Sequence, residues 1–95
     1  MKKTVRVTIE KEYEIELTPE VLTQEFIDEF ESYMFELSGE DLEEKQESLF
    51  KFAATQAGYN PSFIEGLGKA ENELYGRPAN VVYKQIEEWI DMEVV

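Results

Sequence analysis

The side chains able to do chemistry in this chain are almost all carboxylates. Glu10, Glu12, Glu14 and Glu16 recur at every second position, Glu25, Asp28, Glu29 and Glu31 follow in one segment, and Glu40, Asp41, Glu43, Glu44 and Glu47 form a third group. Carboxylates can work as acid–base pairs, hold hard cations or simply present negative charge, and their spacing decides between these uses. A calcium loop needs acids at its first, third and fifth positions, glycine at the sixth and glutamate at the twelfth. Glu36-Leu37-Ser38-Gly39-Glu40-Asp41 does not keep that register. A glycosidase needs two carboxyls across a cleft, and 22 acids among 95 residues place carboxyls near one another by chance. Charge is the use that remains.

Nine Lys and Arg against 22 Asp and Glu give a formal net charge of −13. Cys and His are both absent. Their absence excludes disulfides, thiolate and imidazole metal sites, Cys nucleophiles, His general bases and every Ser-His-Asp triad. No catalytic residue, metal ligand or cofactor site is therefore assigned, and an enzyme is the least supported class. Direct nucleic-acid binding is not expected, because phosphate neutralisation needs clustered Lys and Arg. Gly66-Leu67-Gly68-Lys69 lacks the spacing of a phosphate loop and reads as a turn. Disordered acidic chains are poor in aromatic residues. Here 42% of residues are apolar and 13% aromatic, so the chain should fold, against its own charge repulsion. No apolar run reaches the ~18 residues of a membrane span, and the cytoplasm is the expected compartment.

Elements must hold these charges in place. Val5, Val7, Ile9, Tyr13, Ile15 and Leu17 alternate with polar residues, a period of two that predicts a strand. Lys11 interrupts the apolar set. A straight strand of this length would run ~43 Å, whereas a globule of this size has a radius of gyration near ~12 Å. One long strand bent at Lys11 is expected, because Glu10-Lys11-Glu12 lacks the Gly or Asn of a tight turn. Thr18-Pro19-Glu20 reads as a helix start, with Leu22, Phe26, Phe30, Tyr33, Met34 and Leu37 as the apolar face of a helix over 19–37. Ser38 and Asp41 form a weak capping box for a second helix over 40–57, in which Leu42, Leu49, Phe50, Phe52, Ala53 and Ala57 are candidate core. Gly58 is placed at its C-terminal end. Residues 58–80 hold four of the five Gly and two of the three Pro and read as loop, with one helical turn at 61–65. The tail fits helix or strand; a lone N-terminal strand needs a backbone partner, which favours strand. The expectation is one acidic α+β domain over 1–95 in β-α-α-β order, two helices on a small antiparallel sheet made by the terminal segments.

Each acidic cluster alone reads most simply as a solvated face, with acids near helix starts because the dipole favours them. Three together, with few cations between, suggest a surface arrayed like a phosphate backbone. The residues assigned to partner binding are Glu10, Glu12, Glu14, Glu16, Asp28, Glu31, Glu40, Asp41, Glu43, Glu44 and Glu47. Tyr59 and Tyr75 join them from the Gly/Pro-rich segment, because aromatics dominate hot spots. Tyr13, Tyr33 and Trp89 are assigned to the core.

The alternating N-terminal strand, Thr18-Pro19-Glu20 with Phe26 and Phe30, and Phe63-Ile64-Glu65-Gly66-Leu67-Gly68 resemble small phage and prophage proteins over residues 3–68. In size, acidity and lack of catalytic residues the chain is also similar to phage anti-defence inhibitors of the anti-CRISPR type. That resemblance implies a non-catalytic inhibitor in the cytoplasm of an infected or lysogenic bacterium. Its partner would be a basic nucleic-acid-binding protein or CRISPR effector complex, met by nucleic-acid-mimicking charge, and a homodimer is left open. The competing expectation is an acidic interaction module, such as an immunity-type or phage assembly protein, that binds through an aromatic-centred patch. A third is a generic acidic domain from a halophile.

Overall fold

A strand that begins the chain needs a partner for its backbone groups, and the tail supplies it. In a computed structural model describing all residues, Met1–Val95, β1 (Val5–Leu17) and β4 (Val81–Val94) pair antiparallel from Val5 opposite Val94 to Leu17 opposite Val81. Between them lie α1 (Gln24–Tyr33), α2 (Leu42–Ala57), β2 (Phe63–Ile64) and β3 (Gly68–Asn72). The sheet order is β1-β4-β3-β2, with β3 parallel to β4 and antiparallel to β2. The expected α+β class and helix–helix order are present. The expected globule is not. The molecule measures 58 × 33 × 20 Å with a radius of gyration of 16.5 Å, so β1 need not fold back to stay inside it.

The irregularity expected at Lys11 falls at the next pair and on the partner strand. Glu12 faces Glu87 and Tyr13 faces Gln85, which leaves Ile86 as the extra residue of a bulge on β4. Side chains alternate across a strand, so one inserted residue exchanges the faces of everything beyond it. Val81 and Tyr83 point into the core before the bulge, whereas Ile90, Met92 and Val94 share the face of Val5, Val7 and Ile9 after it. This switch of parity is what made the tail read as helix and strand at once.

The first helix starts later than the sequence suggested. Pro19–Leu22 forms a 3-10 turn, and Thr18 makes no capping bond; its Oγ1 is buried without a partner. Thr23 is the cap of α1, its Oγ1 accepting from the Phe26 N–H at 3.1 Å. The helix thus begins five residues later than expected, with Ile27 buried and Tyr33 exposed, the reverse of the expectation for Tyr33. Asp41 alone caps α2, accepting from the Glu44 N–H at 2.8 Å. Gly58 keeps a right-handed conformation; the left-handed residue is Asn60, with φ 52°. The segment expected to be loop and a helical turn instead carries the β2–β3 hairpin. The two residues of β2 are too few to show a period.

The core joins Leu17, Val81 and Tyr83 of the sheet to Ile27, Phe30, Leu49, Ala53 and Ala57 of the helices. Phe30, Phe35 and Phe52 meet edge-to-face with ring centroids 5.2 to 5.8 Å apart, the geometry favoured by ring quadrupoles. Tyr83 lies 3.0 Å from Asn60 Oδ1 and 2.8 Å from the Pro61 carbonyl, and shares its one hydroxyl proton between these acceptors. Burial pushes that hydroxyl's pKa up.

Gly66 turns β2 into β3 directly under Phe30. Its φ is 88°, and a Cβ there would come within 2.6 Å of the Phe30 ring and 3.0 Å of Met34 Cγ. Gly76 also has positive φ, 62°, but open space around it. Gly76→Ala should cost the left-handed penalty of about 1–2 kcal/mol. Gly66→Ala should cost a further 1–3 kcal/mol or so for the overlap. Urea midpoints measure both; equal losses would mean that the Phe30 contact does not constrain the turn.

Candidate functional site: the outer face of the terminal ribbon

Period two sorts the side chains of β1 and β4 onto two faces. The helices cover one face of the sheet at the body end, where Leu17, Val81 and Tyr83 are buried and Tyr13 and Ile15 pack against the core. The opposite face carries Arg6, Thr8, Glu10, Glu12, Glu14 and Glu16 from β1, across from Glu93, Asp91, Trp89, Glu87, Lys84 and Val82 of β4. Seven carboxylates and two cations therefore share one face, a net of −5, and every one of the nine is exposed. Arg6 and Glu93 stand 3.7 Å apart at the tip, an exposed pair worth little. The expected ladder Glu10, Glu12, Glu14 and Glu16 thus exists, and β4 widens it with acids that the sequence reading did not single out.

The helical acids do not join it. Asp28 on α1 and Glu40, Asp41, Glu43, Glu44 and Glu47 at and after the start of α2 are exposed, but their helices cover the other side of the sheet. A single array uniting the three clusters is absent. Asp28 accepts from Gln24 Nε2 at 2.8 Å and Asp41 is committed to its cap. Glu31, assigned to partner binding from the sequence, is instead engaged within the fold. Its Oε1 accepts from Lys45 Nζ at 2.8 Å and its Oε2 from the Leu37 N–H at 2.9 Å, so one carboxylate ties α1 to α2 and to the connection between them. The two side chains are only 16% and 21% exposed.

Tyr59 and Tyr75 are exposed as expected, Tyr75 with the Arg77 guanidinium 5.7 Å above its ring. Trp89 overturns its core assignment. It is 44% exposed and lies opposite Glu10 in the middle of the acid face. The signal that locates it is the parity break between Val81/Tyr83 and Ile90/Met92/Val94, which puts Trp89 out of phase with the apolar set. The main concavity of the body is a dent formed by Ser38, Gly39, Glu44, Glu47, Ser48 and Lys51. Its lining is polar throughout, unlike the mostly apolar walls of small-molecule pockets. No three carboxylates converge closely enough to hold a metal ion, and no helix is long and apolar enough to cross a membrane. Compared with family models, curated proteins and solved structures, the chain matches none.

The Lys45 ammonium, hydrogen-bonded to Glu31, holds that carboxyl below the usual carboxylate range, and the Leu37 N–H adds to the effect. Glu31 in turn raises the pKa of Lys45. A lowered folded-state pKa contributes stability that is present above the ordinary value of 4.5 and is lost as pH falls through the lowered one. Glu31→Gln should therefore be less stable than the wild type at neutral pH, with the gap closing as pH falls through that window. Urea midpoints across an acid series test this. A gap that stays constant would assign the loss to shape rather than charge.

Proposed function

We propose that this chain is a non-catalytic inhibitor of the phage anti-defence, anti-CRISPR-like kind, which sets the acid face of its ribbon against a basic, nucleic-acid-binding surface of another protein and blocks it. The observation that carries the reading is the segregation of seven carboxylates and Trp89 onto one exposed face of a two-stranded ribbon. Opposite potentials speed encounter and orient the partners before contact. The face is preformed, which reduces the ordering cost of binding.

Magnitudes limit how literal the mimicry is. A net of −5 spread over a ribbon of ~43 Å is one charge per ~9 Å, against one per ~1.7 Å along duplex DNA. The face carries about a fifth of a duplex's charge density. Charge alone would leave it a weak competitor, so an apolar anchor has to add affinity. Trp89 at the centre of the face, ringed by acids, has the composition of a hot spot. The same residue favours the second reading, an acidic immunity-type or phage assembly module that binds through an aromatic-centred patch. The two readings differ in which term dominates.

Capture from a bacterial lysate on the immobilised chain, with stepwise salt elution and identification of what elutes, tests the proposal. A basic nucleic-acid-binding protein should bind at low salt, weaken steeply as salt rises, and lose at least tenfold in affinity to the Glu12→Lys, Glu14→Lys double variant. Trp89→Ala should cost about 2 kcal/mol, roughly thirtyfold. Binding that ignores both salt and charge reversal but collapses with Trp89→Ala would replace the inhibitor by the aromatic-patch module.

A further inference from the structure

The face of the ribbon opposite the acids has no use in that proposal, and it is apolar. Beyond the bulge, Val5 pairs with Val94, Val7 with Met92 and Ile9 with Ile90. All six side chains are between 49% and 68% exposed. Every buried residue of the protein lies between Leu17 and Tyr83, so nothing in the chain covers them. A two-stranded ribbon with neither a third strand nor a helix against it is marginal in water. These strands nevertheless continue in register to Val5 and Val94. We infer that a second copy of the chain covers this face, ribbon against ribbon, with the six side chains of each copy forming a shared apolar layer.

Three observations favour a second copy over a different partner. The first is area. The six side chains expose roughly 600 Å² per copy, the upper end for a patch on a monomer. Closing two of them together buries roughly 1,200 Å² in all, the lower end of stable interfaces. The second is composition. The only charges on this face, Lys11 and Glu88, already stand 3.8 Å from each other. A neutral apolar strip calls for another uncharged apolar surface, and a two-fold contact supplies one by bringing identical patches together. The third is the position of the charge. In the dimer the two acid faces point away from each other, separated by two sheet layers ~10 Å apart plus their side chains. That separation exceeds the ~8 Å over which charges act at physiological salt. The net of −5 on each acid face therefore opposes the contact only weakly. Helices stand on this same face at the body end, so the ribbons must run in opposite directions for the bodies to clear. Val5 of one copy then lies over Ile9 of the other.

Sedimentation of the full-length chain over a concentration and salt series tests the inference. The expected result is a reversible dimer of the 11.1 kDa chain whose dissociation constant stays level or falls as salt is raised, opposite in sign to binding by the acid face. Val7→Glu with Met92→Glu should raise that constant at least a hundredfold, with the circular dichroism of the body intact. Val7→Thr with Ile9→Thr, which keeps strand propensity, should raise it about tenfold. Glu29→Gln on α1 should leave it unchanged. A monomer at every concentration overturns the inference. So does a dimer indifferent to both ribbon variants, or a ladder of larger species, which would mean pairing along the open strand edges. None of these results depends on the acid face having a partner, so either proposal can fail without the other.

Discussion

The backbone ladder between β1 and β4 is the constraint on which the rest depends. It unites the two ends of the described chain and delivers Leu17, Val81 and Tyr83 into the core at one end. At the other end it continues past the last buried residue and stands in water. Because alternate side chains leave a strand in opposite directions, the same ladder sorts acids from aliphatics without further instruction. The bulge at Ile86 is what keeps that sorting consistent along both halves. Without the extra residue, the odd positions that bury Val81 and Tyr83 would continue outward and turn Ile90, Met92 and Val94 onto the acid face.

Much of this was legible before any coordinates. The alternation from Val5 to Leu17 located β1, and the need for a backbone partner pointed to the tail. The spacing of Phe26, Phe30, Leu49 and Ala53 marked both helices. What failed was local. Thr18-Pro19-Glu20 has the composition of a helix start, yet the chain makes a 3-10 turn there and begins its helix at Thr23. Composition reports that a cap is available, not which of two Thr five residues apart takes it. The β2–β3 hairpin was hidden because Gly66 and Gly68 punctuate it so densely that no period survives. The premise of a globule failed for a different reason. Average compactness describes chains that surround a core, and here the strands outrun the core.

The candidate site was read less well than the fold. The four glutamates of β1 were visible because alternation alone puts them on one face. The acids of β4 and Trp89 were not, since their face depends on a bulge that shows only as a broken parity at Ile86. Charge counting also treated Glu31 like its neighbours. The carboxylate is held by Lys45 and the Leu37 N–H, and neither contact can be inferred from a sequence separation of six or fourteen residues. The strand ladder and the two helical clusters lie on opposite sides of the sheet, because the strand and the helices form different layers.

The edge position of β1 has a consequence for the chain before it is folded. β1 has one neighbour in the sheet, β4, and β4 is synthesised only after both helices and the β2–β3 hairpin. Pairing between segments so distant in sequence is slow to form. In the interval the nascent protein exposes thirteen residues of strand-forming sequence, a template for joining other chains. Glutamate at every second position from Glu10 to Glu16 makes such joining electrostatically unfavourable. The carboxylates thus guard the newborn chain until β4 is made and the strand is paired.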